Sequence, residues 1–499
     1  MPPIDYPSID WLAISPFLVL LGGALLLLVV GALTPMWPRS LYAVVTVAIS
    51  VPTLIVEMVL WNRVGHEGEV AIIGEVLSID RLTLFAWIGI TVATALVALS
   101  SSEYLRREGL DGPETYAMYL SASIGAMVMA SANEFVVMFL GLETLSLALY
   151  VLAASHRRRT DSQESGLKYF VLGGFASAFF LYGIALVYGA TGSTNLSEIN
   201  GFLTDQVFLD GDDAMLLAGL ALLLVGLGFK VAAVPFHFWT PDVYQGAPTP
   251  ATSYMASVGK FAAFAAMLRV LLVALPTRAD DWRPVIWVMA IASIVIGSVL
   301  AVAQTDVKRM LAYSSISHAG FILIGVEAAG HSGDTAGLPA ALLYLMLYAV
   351  LVIGTFTVIS LVSRTGDART DLASFRGLSK ERPALALAMT VFLFAQAGMP
   401  VTTGFIAKFG VIKAAADNQS YAIAIVAMVA SVIAAVLYLR IMISMWLSDT
   451  EAGDEAREKV AVPVTSGIVI LAAVVFTIVV GVFPGWLIDA SRDALTLVR

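Results

Sequence analysis

Apolar residues occur along this chain in long runs separated by short polar stretches. A membrane-spanning α-helix needs about 20 mainly apolar residues, and the runs are close to this length. They occupy residues 17–33, 41–60, 82–99, 116–131, 135–154, 170–190, from 214 onward, 254–275, 285–303, 311–329, 340–362, from 384 onward, 421–446 and 462–482. The pattern predicts an all-α polytopic membrane protein with about 14 transmembrane helices.

Two apolar segments are too long and too irregular to form one straight helix each. Segment 214–245 contains Pro235, and segment 384–416 contains Gly398 and Pro400. Proline inside a helix removes a backbone donor and breaks the helix. The freed backbone groups are tolerated at membrane depth only where protein or water covers them. Spans 7 and 12 are therefore predicted to be discontinuous.

The two predicted breaks lie five spans apart, which indicates two five-helix repeats. Because five is odd, the second repeat is expected to be inverted relative to the first. Broken helices in corresponding halves of a transporter mark its ion path. The predicted division is helices 1–3 in residues 1–113, the first repeat (helices 4–8) in 114–276, the second, inverted repeat (helices 9–13) in 284–448, and helix 14 in 460–499.

Basic residues alternate between the predicted connections and give an expected orientation. Short cytoplasmic loops carry an excess of Lys and Arg. The basic connections hold Arg106, Arg107, Arg157 to Arg159, Lys308, Arg309, Arg364, Arg369, Arg376, Lys380 and Arg382, whereas connections 195–213, 331–337 and 416–420 hold none. We expect the basic connections to be cytoplasmic and both chain termini to lie on the outer side.

Composition supports the membrane interpretation and excludes several kinds of chemistry. Hydrophobic residues make up 59% of the chain and charged residues 13%, with a mean hydropathy of +0.87. A net charge of −9 without a concentrated basic patch argues against nucleic acid as a partner. With no Cys, the chain itself has neither a disulfide nor a cysteine-ligated iron–sulfur cluster.

Ionisable side chains stand in the middle of several predicted spans. A charged group near the bilayer centre is costly, and such groups usually pair or work in ion and proton pathways. The series consists of Glu143, Lys230, Lys260, His318 and Lys408, and Lys230 and Lys408 adjoin the predicted breaks. These five residues are the candidate proton-translocation site.

The residue types in this series suit proton transfer. Burial favours the neutral form of a lysine, whereas a nearby carboxylate favours the charged form. A Glu143–Lys230 pair would therefore act as a switch that releases the proton more readily when it separates. His318 could pass protons between lysines through water.

Structural alternatives exist for each candidate. A buried Glu–Lys pair can be a static pin between helices. Lys168 lies near the end of its span, where snorkelling is as plausible as a relay, and His237 could be a packing residue or a further proton carrier. Four other charged residues are expected to be interfacial because they lie near span ends, namely Glu57, Arg269, Glu327 and Arg440.

These residues resemble a known family, the antiporter-like subunits of respiratory complex I and the related multisubunit cation/proton antiporters. The most specific stretch is GFKVAAVPFHFWTPDVYQGAPTP at residues 228–250. Its second half resembles the N subunit (ND2 type), as do KRMLAYSSISHAG at 308–320 and GFIAK at 404–408. By position, the family's functional glutamate and lysines match Glu143, Lys230, Lys260 and Lys408.

The resemblance implies a proton-translocating subunit of an NADH:quinone oxidoreductase in a bacterial cytoplasmic membrane. It implies that NADH, FMN, iron–sulfur clusters and quinone bind other subunits, with no cofactor, metal or redox centre in this chain. M-type and K-type subunits are the implied neighbours. The alternatives are a subunit of a multisubunit Na⁺ or K⁺/proton antiporter, and a purely structural membrane subunit.

Overall fold

The apolar runs form helices joined by short connections. A computed structural model describes residues 9–35, 37–38, 40–72, 74–205, 213–448 and 460–494. In chain order the elements are α1 (Trp11–Leu33), α2 (Leu41–Glu67), β1 (Val70–Ile72), β2 (Leu77–Ile79), α3 (Arg81–Arg107), α4 (Pro113–Ser131), α5 (Phe135–Ala153), α6 (Thr160–Thr191), α7 (Leu196–Asp205), α8 (Ala214–Val231), α9 (Trp239–Gly246), α10 (Thr249–Tyr254), α11 (Lys260–Arg269), α12 (Ala279–Ala303), α13 (Val307–Ala329), α14 (Gly337–Val362), α15 (Leu378–Glu381), α16 (Pro383–Ala397), α17 (Thr403–Asp417), α18 (Tyr421–Leu447), α19 (Val464–Val482) and α20 (Gly485–Asp493). Both chain termini, for which an outer location was predicted, lie outside the described residues.

Most of these elements are helical, and short irregular turns interrupt a few of them. A π-helical turn at Met255–Gly259 joins α10 to α11, and a second at Val270–Ala274 extends α11, which gives one helix, Thr249–Ala274. β1 and β2 pair as an antiparallel hairpin with Val70 opposite Ile79. The predicted fold class, a polytopic α-helical membrane protein, is confirmed apart from this small hairpin.

Twelve helices among the described residues are long and apolar enough to cross a membrane. The 19-residue α4 is not among them, nor is the α16–α17 pair, whose two halves have 15 residues each. The count of 14 and the inverted relation between the repeats therefore stay predictions.

The helices differ in how much protein surrounds them. All of the most apolar stretch of α14 is buried, as is 94% of that of α13 and of Thr249–Ala274. In α2 and α19 only 33% of the most apolar stretch is buried, and both helices expose leucine, isoleucine and valine side chains. Such apolar surface suits contact with lipid. The helices that carry Lys260 and His318 thus lie at the centre of the protein.

Helix breaks occur in both segments where they were predicted. α8 ends at Val231 and α9 begins at Trp239, with Pro235 between them. α16 ends at Ala397 and α17 begins at Thr403. Protein groups cover the freed backbone at the first break, because the indole of Trp239 donates to the carbonyl of Phe229. The Phe229 carbonyl thus has a protein donor, as a backbone group freed at membrane depth requires, whereas Met399 and Val401 at the second break are exposed in this chain.

Two charged residues expected at the membrane interface are instead buried in the protein. Glu57 is fully buried because α2 continues to Glu67, ten residues beyond it. Arg269 is buried and forms an ion pair with Asp80, and its Nε donates to the carbonyl of Ala130 at 2.6 Å. Glu57 therefore does not lie near the end of its helix as predicted, whereas Arg269 lies five residues before the end of Thr249–Ala274, and its interfacial location stays a prediction.

The other two members of that group lie near helix ends, as expected. Glu327, near the end of α13, is buried and pairs with Arg283 and His331. Arg440 donates to the carbonyl of Gln304, just beyond the end of α12.

Candidate functional site

Lys230 lies in the last turn of α8, beside the first helix break, and is buried. Its ammonium group donates a hydrogen bond of 2.7 Å to Ser146 Oγ of α5. The Glu143 carboxylate, one turn before Ser146, accepts a hydrogen bond from Ser177 of α6. Among the described ion pairs Lys230 has no carboxylate partner. The two members of the predicted Glu143–Lys230 pair are thus apart in this structure.

Aromatic rings complete the surroundings of Lys230. Its Nζ lies 5.6 Å from the centre of the Tyr169 ring and 6.0 Å from that of Tyr150. The faces of aromatic rings attract a cation weakly and do not neutralise its charge. Lys230 is therefore held by a hydroxyl and two rings, all of them neutral.

Lys260 occupies the junction between a π-helical turn and α11, and it is buried. Its ammonium group donates to the backbone carbonyl of Ser315 on α13, and its Nζ lies 5.6 Å from the centre of the Tyr348 ring. In the described part of the chain no acidic side chain pairs with it. Lys260 therefore also has only neutral partners.

His318 lies on α13 between two tyrosine hydroxyls. Its Nδ1 is 2.7 Å from Tyr344 Oη, and its Nε2 is 3.2 Å from Tyr438 Oη. Tyr438 Oη in turn lies 2.6 Å from Ser314 Oγ. Both ring nitrogens thus have partners that can donate or accept, which allows either neutral tautomer and also the protonated ring.

Lys408 lies on α17 and reaches back to the second helix break. Its ammonium group donates a hydrogen bond of 3.1 Å to the carbonyl of Ala397, the last residue of α16. Its Nζ lies 5.0 Å from the centre of the Phe321 ring. The break thus supplies the carbonyl that binds this lysine, and again no described carboxylate pairs with it.

Shared aromatic rings connect three of the five candidates. The Tyr348 ring contacts both Lys260 and His318, whose ring centre is 4.8 Å away. The Tyr344 hydroxyl binds His318, and the Tyr344 ring stacks on the Phe321 ring with 6.2 Å between the ring centres. The Phe321 ring in turn contacts the Lys408 ammonium group. Lys260, His318 and Lys408 therefore form one group at the centre of the protein, while Glu143 and Lys230 form a second group between α5, α6 and α8.

The two secondary candidates have different surroundings. Lys168 is 41% exposed and forms ion pairs with Asp242 at 2.7 Å and Glu164 at 2.6 Å. His237 lies in the first helix break, and its buried Nδ1 has no hydrogen-bond partner among the described residues. The geometry thus favours an anchoring role for Lys168 and leaves a free nitrogen at His237.

A buried ion cluster that the sequence analysis missed surrounds Asp367, in the connection after α14. Its carboxylate accepts hydrogen bonds of 2.9 Å from Tyr104, Arg159, Thr249 and Ser363, and Lys308 Nζ lies 3.5 Å from it. The side chains of Lys308 and Asp367 are both fully buried. Lys308, predicted as a residue of a cytoplasmic connection, instead lies in the first turn of α13 beneath the protein surface.

The charges in this cluster set the protonation state of Asp367. Burial raises the pKa of the Asp367 carboxyl, but the positive charges of Lys308 and Arg159 outweigh burial and hold its pKa at about 2. A signal was available in the sequence, since Asp367 is an acid between Arg364 and Arg369 in a connection rich in basic residues.

Among the described residues, no group of three or more His, Asp or Glu side chains is arranged to hold a metal ion.

Comparisons with known proteins concern the family and the fold of the chain. The profile of the NADH:quinone oxidoreductase/Mrp antiporter transmembrane family matches residues 132–434, more than half of the chain. NADH-quinone oxidoreductase subunit N 1 of Herpetosiphon aurantiacus is 40% identical over 489 residues, which are 97% of each chain. A chain of respiratory complex I from Thermus thermophilus with bound aureothin superimposes with a TM-score of 0.79 at 32% identity, covering 96% of this chain and 99% of that one.

One further structure shares the fold at lower identity. A chain of the Mrp complex from Dietzia sp. DQ12-45-1b superimposes with a TM-score of 0.83 at 21% identity, covering 97% of this chain and 96% of that one. This likeness concerns the fold alone. The profile match and the near full-length similarity to N subunits confirm the resemblance drawn from the motifs, and the chain belongs to the NADH:quinone oxidoreductase/Mrp antiporter family of membrane proteins.

Proposed function

We propose that this chain is the N-type proton-translocating membrane subunit of an NADH:quinone oxidoreductase and that Glu143, Lys230, Lys260, His318 and Lys408 carry the protons. One observation carries the proposal. Lys230, Lys260 and Lys408 are buried, yet their ammonium groups meet hydroxyls, carbonyls and aromatic rings and no described carboxylate.

A lysine whose ammonium group contacts no carboxylate differs physically from a lysine in a static ion pair. Burial disfavours the charged form of an unpaired group, so such a lysine can give up its proton within a working cycle. The Arg269–Asp80 and Lys308–Asp367 pairs, by contrast, are buried ion pairs of the static, structural kind in the same protein. This contrast supports proton transfer over the purely structural alternative.

The two groups of residues suggest a division of roles. Glu143, held on Ser177, would stabilise the charged form of Lys230 when it swings toward that lysine, and would favour proton release when it withdraws. Lys260 and His318, which share the Tyr348 ring, would relay the proton. Lys408, at the second break, would exchange it with the outer side. His237 could take part at the first break, whereas Lys168 would anchor α6 to α9.

The broader setting is also part of the proposal. We place the chain in a bacterial cytoplasmic membrane, with its basic connections inside and both termini outside, beside M-type and K-type subunits. NADH, FMN, iron–sulfur clusters and quinone would bind other subunits. The division into 1–113, the repeats 114–276 and 284–448, and 460–499 is supported by the corresponding helix breaks.

Pumping by variant complexes tests the proposal directly. In complex reconstituted into liposomes, Lys230→Ala and Lys408→Ala should each lower the number of protons moved per NADH oxidised several-fold. Lys413→Ala is the matched control, because Lys413 lies on the same helix as Lys408 but is exposed and paired with Asp417. Wild-type pumping in both test variants would refute the proposal.

A charge-preserving substitution separates proton transfer from a need for positive charge alone. Arginine keeps its charge because its guanidinium does not lose a proton in proteins. Lys408→Arg should therefore pump as poorly as Lys408→Ala. If Lys408→Arg instead pumps like the wild type, the lysine acts as a fixed charge and not as a proton carrier.

Copurification addresses the antiporter alternative. The 40% identity to an N subunit favours the oxidoreductase over a multisubunit Na⁺ or K⁺/proton antiporter. Purification in mild detergent should recover flavin and iron–sulfur subunits with this chain. Recovery of other membrane subunits alone, together with Na⁺-dependent proton movement, would favour the antiporter.

A further inference from the structure

Glu57 is a buried carboxyl group that the proposed proton path does not use. It lies inside α2, in the N-terminal helices outside both predicted repeats, and its side chain is fully buried. One carboxyl oxygen accepts a hydrogen bond of 2.7 Å from Thr91 Oγ1 of α3. The other oxygen, Oε2, is buried without any hydrogen-bond partner among the described residues.

The charge state of Glu57 follows from these contacts. None of the described ion pairs includes Glu57, so no cation compensates a negative charge there. An ionised carboxylate with a single neutral hydrogen bond in an apolar interior is far more costly than the neutral acid. The buried ion pairs of this protein contrast with Glu57, because Asp80 and Asp367 each face a cation.

We propose that Glu57 is an additional proton-binding residue, which holds a proton in the resting protein and exchanges it during turnover. The proton is the ligand, and the carboxylic acid and the carboxylate are its loaded and empty forms. The occupied resting state is independent of the proposed function, whereas the exchange during turnover rests on it.

A cluster of hydroxyl groups lies between Glu57 and the helix that carries Lys260. Thr94, one turn beyond Thr91 on α3, has its Oγ1 2.7 Å from Ser123 Oγ of α4. Ser123 Oγ lies 2.9 Å from Tyr254 Oη at the end of α10. Tyr254 directly precedes the π-helical turn that leads to Lys260. In the proposed exchange, the Glu57 proton moves toward a neutral lysine by way of this cluster, because hydroxyl groups both donate and accept hydrogen bonds. The described hydrogen bonds connect Thr94, Ser123 and Tyr254 with one another.

Proton balance is simple in this scheme. A proton that leaves the Glu57 carboxylic acid produces a carboxylate, and the amine that accepts it becomes an ammonium group. Return of the proton restores both groups. No oxidant, reductant or other reactant is required.

Infrared spectroscopy of the whole reconstituted complex tests the proposal. A protonated carboxyl absorbs as a carbonyl band distinct from that of a carboxylate. At neutral pH, Glu57→Gln should lose one such band, and Thr91→Val, which removes the hydrogen bond to the acid, should shift it. Addition of NADH should change this band in the wild type. Glu67→Gln is the matched control, because Glu67 lies on the same helix but is 62% exposed and paired with Arg63.

The outcomes are distinct from those of the pumping tests. A spectrum of Glu57→Gln that matches the Glu67→Gln control would overturn the proposal, since Glu57 would then be ionised at rest. A band that is present but unaffected by NADH would overturn the exchange during turnover. The resting band does not depend on Lys230 or Lys408, so its absence and a failure of the pumping tests can be told apart. The response to NADH rests on the proposed function, and a band that NADH leaves unchanged in a complex that pumps normally overturns the exchange alone.

Discussion

Ser146 is the residue that separates Glu143 from Lys230. Its hydroxyl accepts the lysine hydrogen bond at 2.7 Å and donates to the carbonyl of Leu142 at 2.5 Å. A hydroxyl can hold a charged or a neutral lysine because it donates and accepts, whereas a carboxylate binds the charged form preferentially. With Glu143 held by Ser177, Ser146 gives the lysine a resting partner that suits both protonation states.

Removal of this hydroxyl should impair pumping more than electron transfer. Ser146→Ala leaves Lys230 with aromatic rings as its described partners, and loss of a hydrogen bond to a buried polar group costs about 1–3 kcal/mol. At the lower end of this range, pumping should slow about fivefold. The measurement is the rate of proton uptake by liposomes relative to NADH oxidation.

Thr144→Ala provides the control for this substitution. Thr144 is an exposed residue of the same helix, and its hydroxyl also bonds to the carbonyl four residues earlier. Equal pumping by the Ser146 and Thr144 variants would show that the Ser146 hydroxyl has no special part in holding Lys230.

At the scale of elements, the break between α16 and α17 depends on close backbone approach. A Cβ atom added at Gly404 would lie 1.6 Å from the carbonyl oxygen of Ala395, so no side chain fits there. Gly398, which ends α16 in the left-handed region at φ 92°, lies against the Lys408 side chain. The two glycines allow the two half-helices to meet and place the Ala397 carbonyl within reach of Lys408.

Gly404→Ala should therefore disturb both stability and pumping. Over-packing typically costs about 1–3 kcal/mol, and the displacement of α17 would move Lys408 away from the Ala397 carbonyl. We expect lower thermal stability of the detergent-purified chain and fewer protons moved per NADH. Gly174→Ala should change neither quantity, because nothing lies within 4 Å of a Cβ there. A stable, fully pumping Gly404→Ala variant would contradict the role given to this contact.

The same elements show which features the sequence could predict. Both breaks were predictable because proline and glycine occur together within apolar segments that are too long for one helix, whereas the single prolines Pro16, Pro52 and Pro284 lie inside continuous helices. The end of α2 could not be predicted, because the apolar run stops at Leu60 while the helix continues through polar residues to Glu67. That error placed Glu57 at the interface.

Tertiary packing explains the remaining gaps in the candidate site. The charged residues themselves could be identified from the sequence, because an ionisable group within an apolar run is costly and is usually paired or functional. The neutral partners of these residues could not be predicted, because the sequence spacing of Tyr344, Tyr348 and Phe321 does not indicate a contact with His318 or Lys408. Contacts between residues on different helices depend on how the helices pack, which no periodicity within one helix encodes.

At the scale of the whole molecule, the Asp367 cluster joins parts of the chain that are far apart in sequence. Tyr104 comes from α3, Arg159 from the start of α6, Thr249 from α10 and Lys308 from α13. The cluster thus connects the N-terminal helices with both predicted repeats. Adjacent to it, Glu108 accepts from the backbone of Gly366 at 2.9 Å. A proton path that runs across both repeats needs such a fixed frame, because helices that drift apart would separate its carriers.

Asp367→Asn should destabilise the protein strongly. The change leaves the fully buried Lys308 without its counter-charge, and removal of one partner from a buried ion pair costs about 3–5 kcal/mol. The thermal midpoint of the detergent-purified chain should fall well below that of the wild type. Asp371→Asn, in the same connection but at an exposed residue, should leave the midpoint nearly unchanged.

The pH dependence of this difference provides a second, independent check. The pKa of Asp367 is about 2 in the folded protein, below the ordinary aspartate value of about 3.9. Its stabilisation is therefore complete above about pH 4 and is lost as the pH falls through about 2. The gap between wild type and Asp367→Asn should stay constant from neutral pH down to about 5 and narrow below about 4. A gap that already narrows near neutral pH would show that another group, and not the Asp367 carboxylate, holds these helices together.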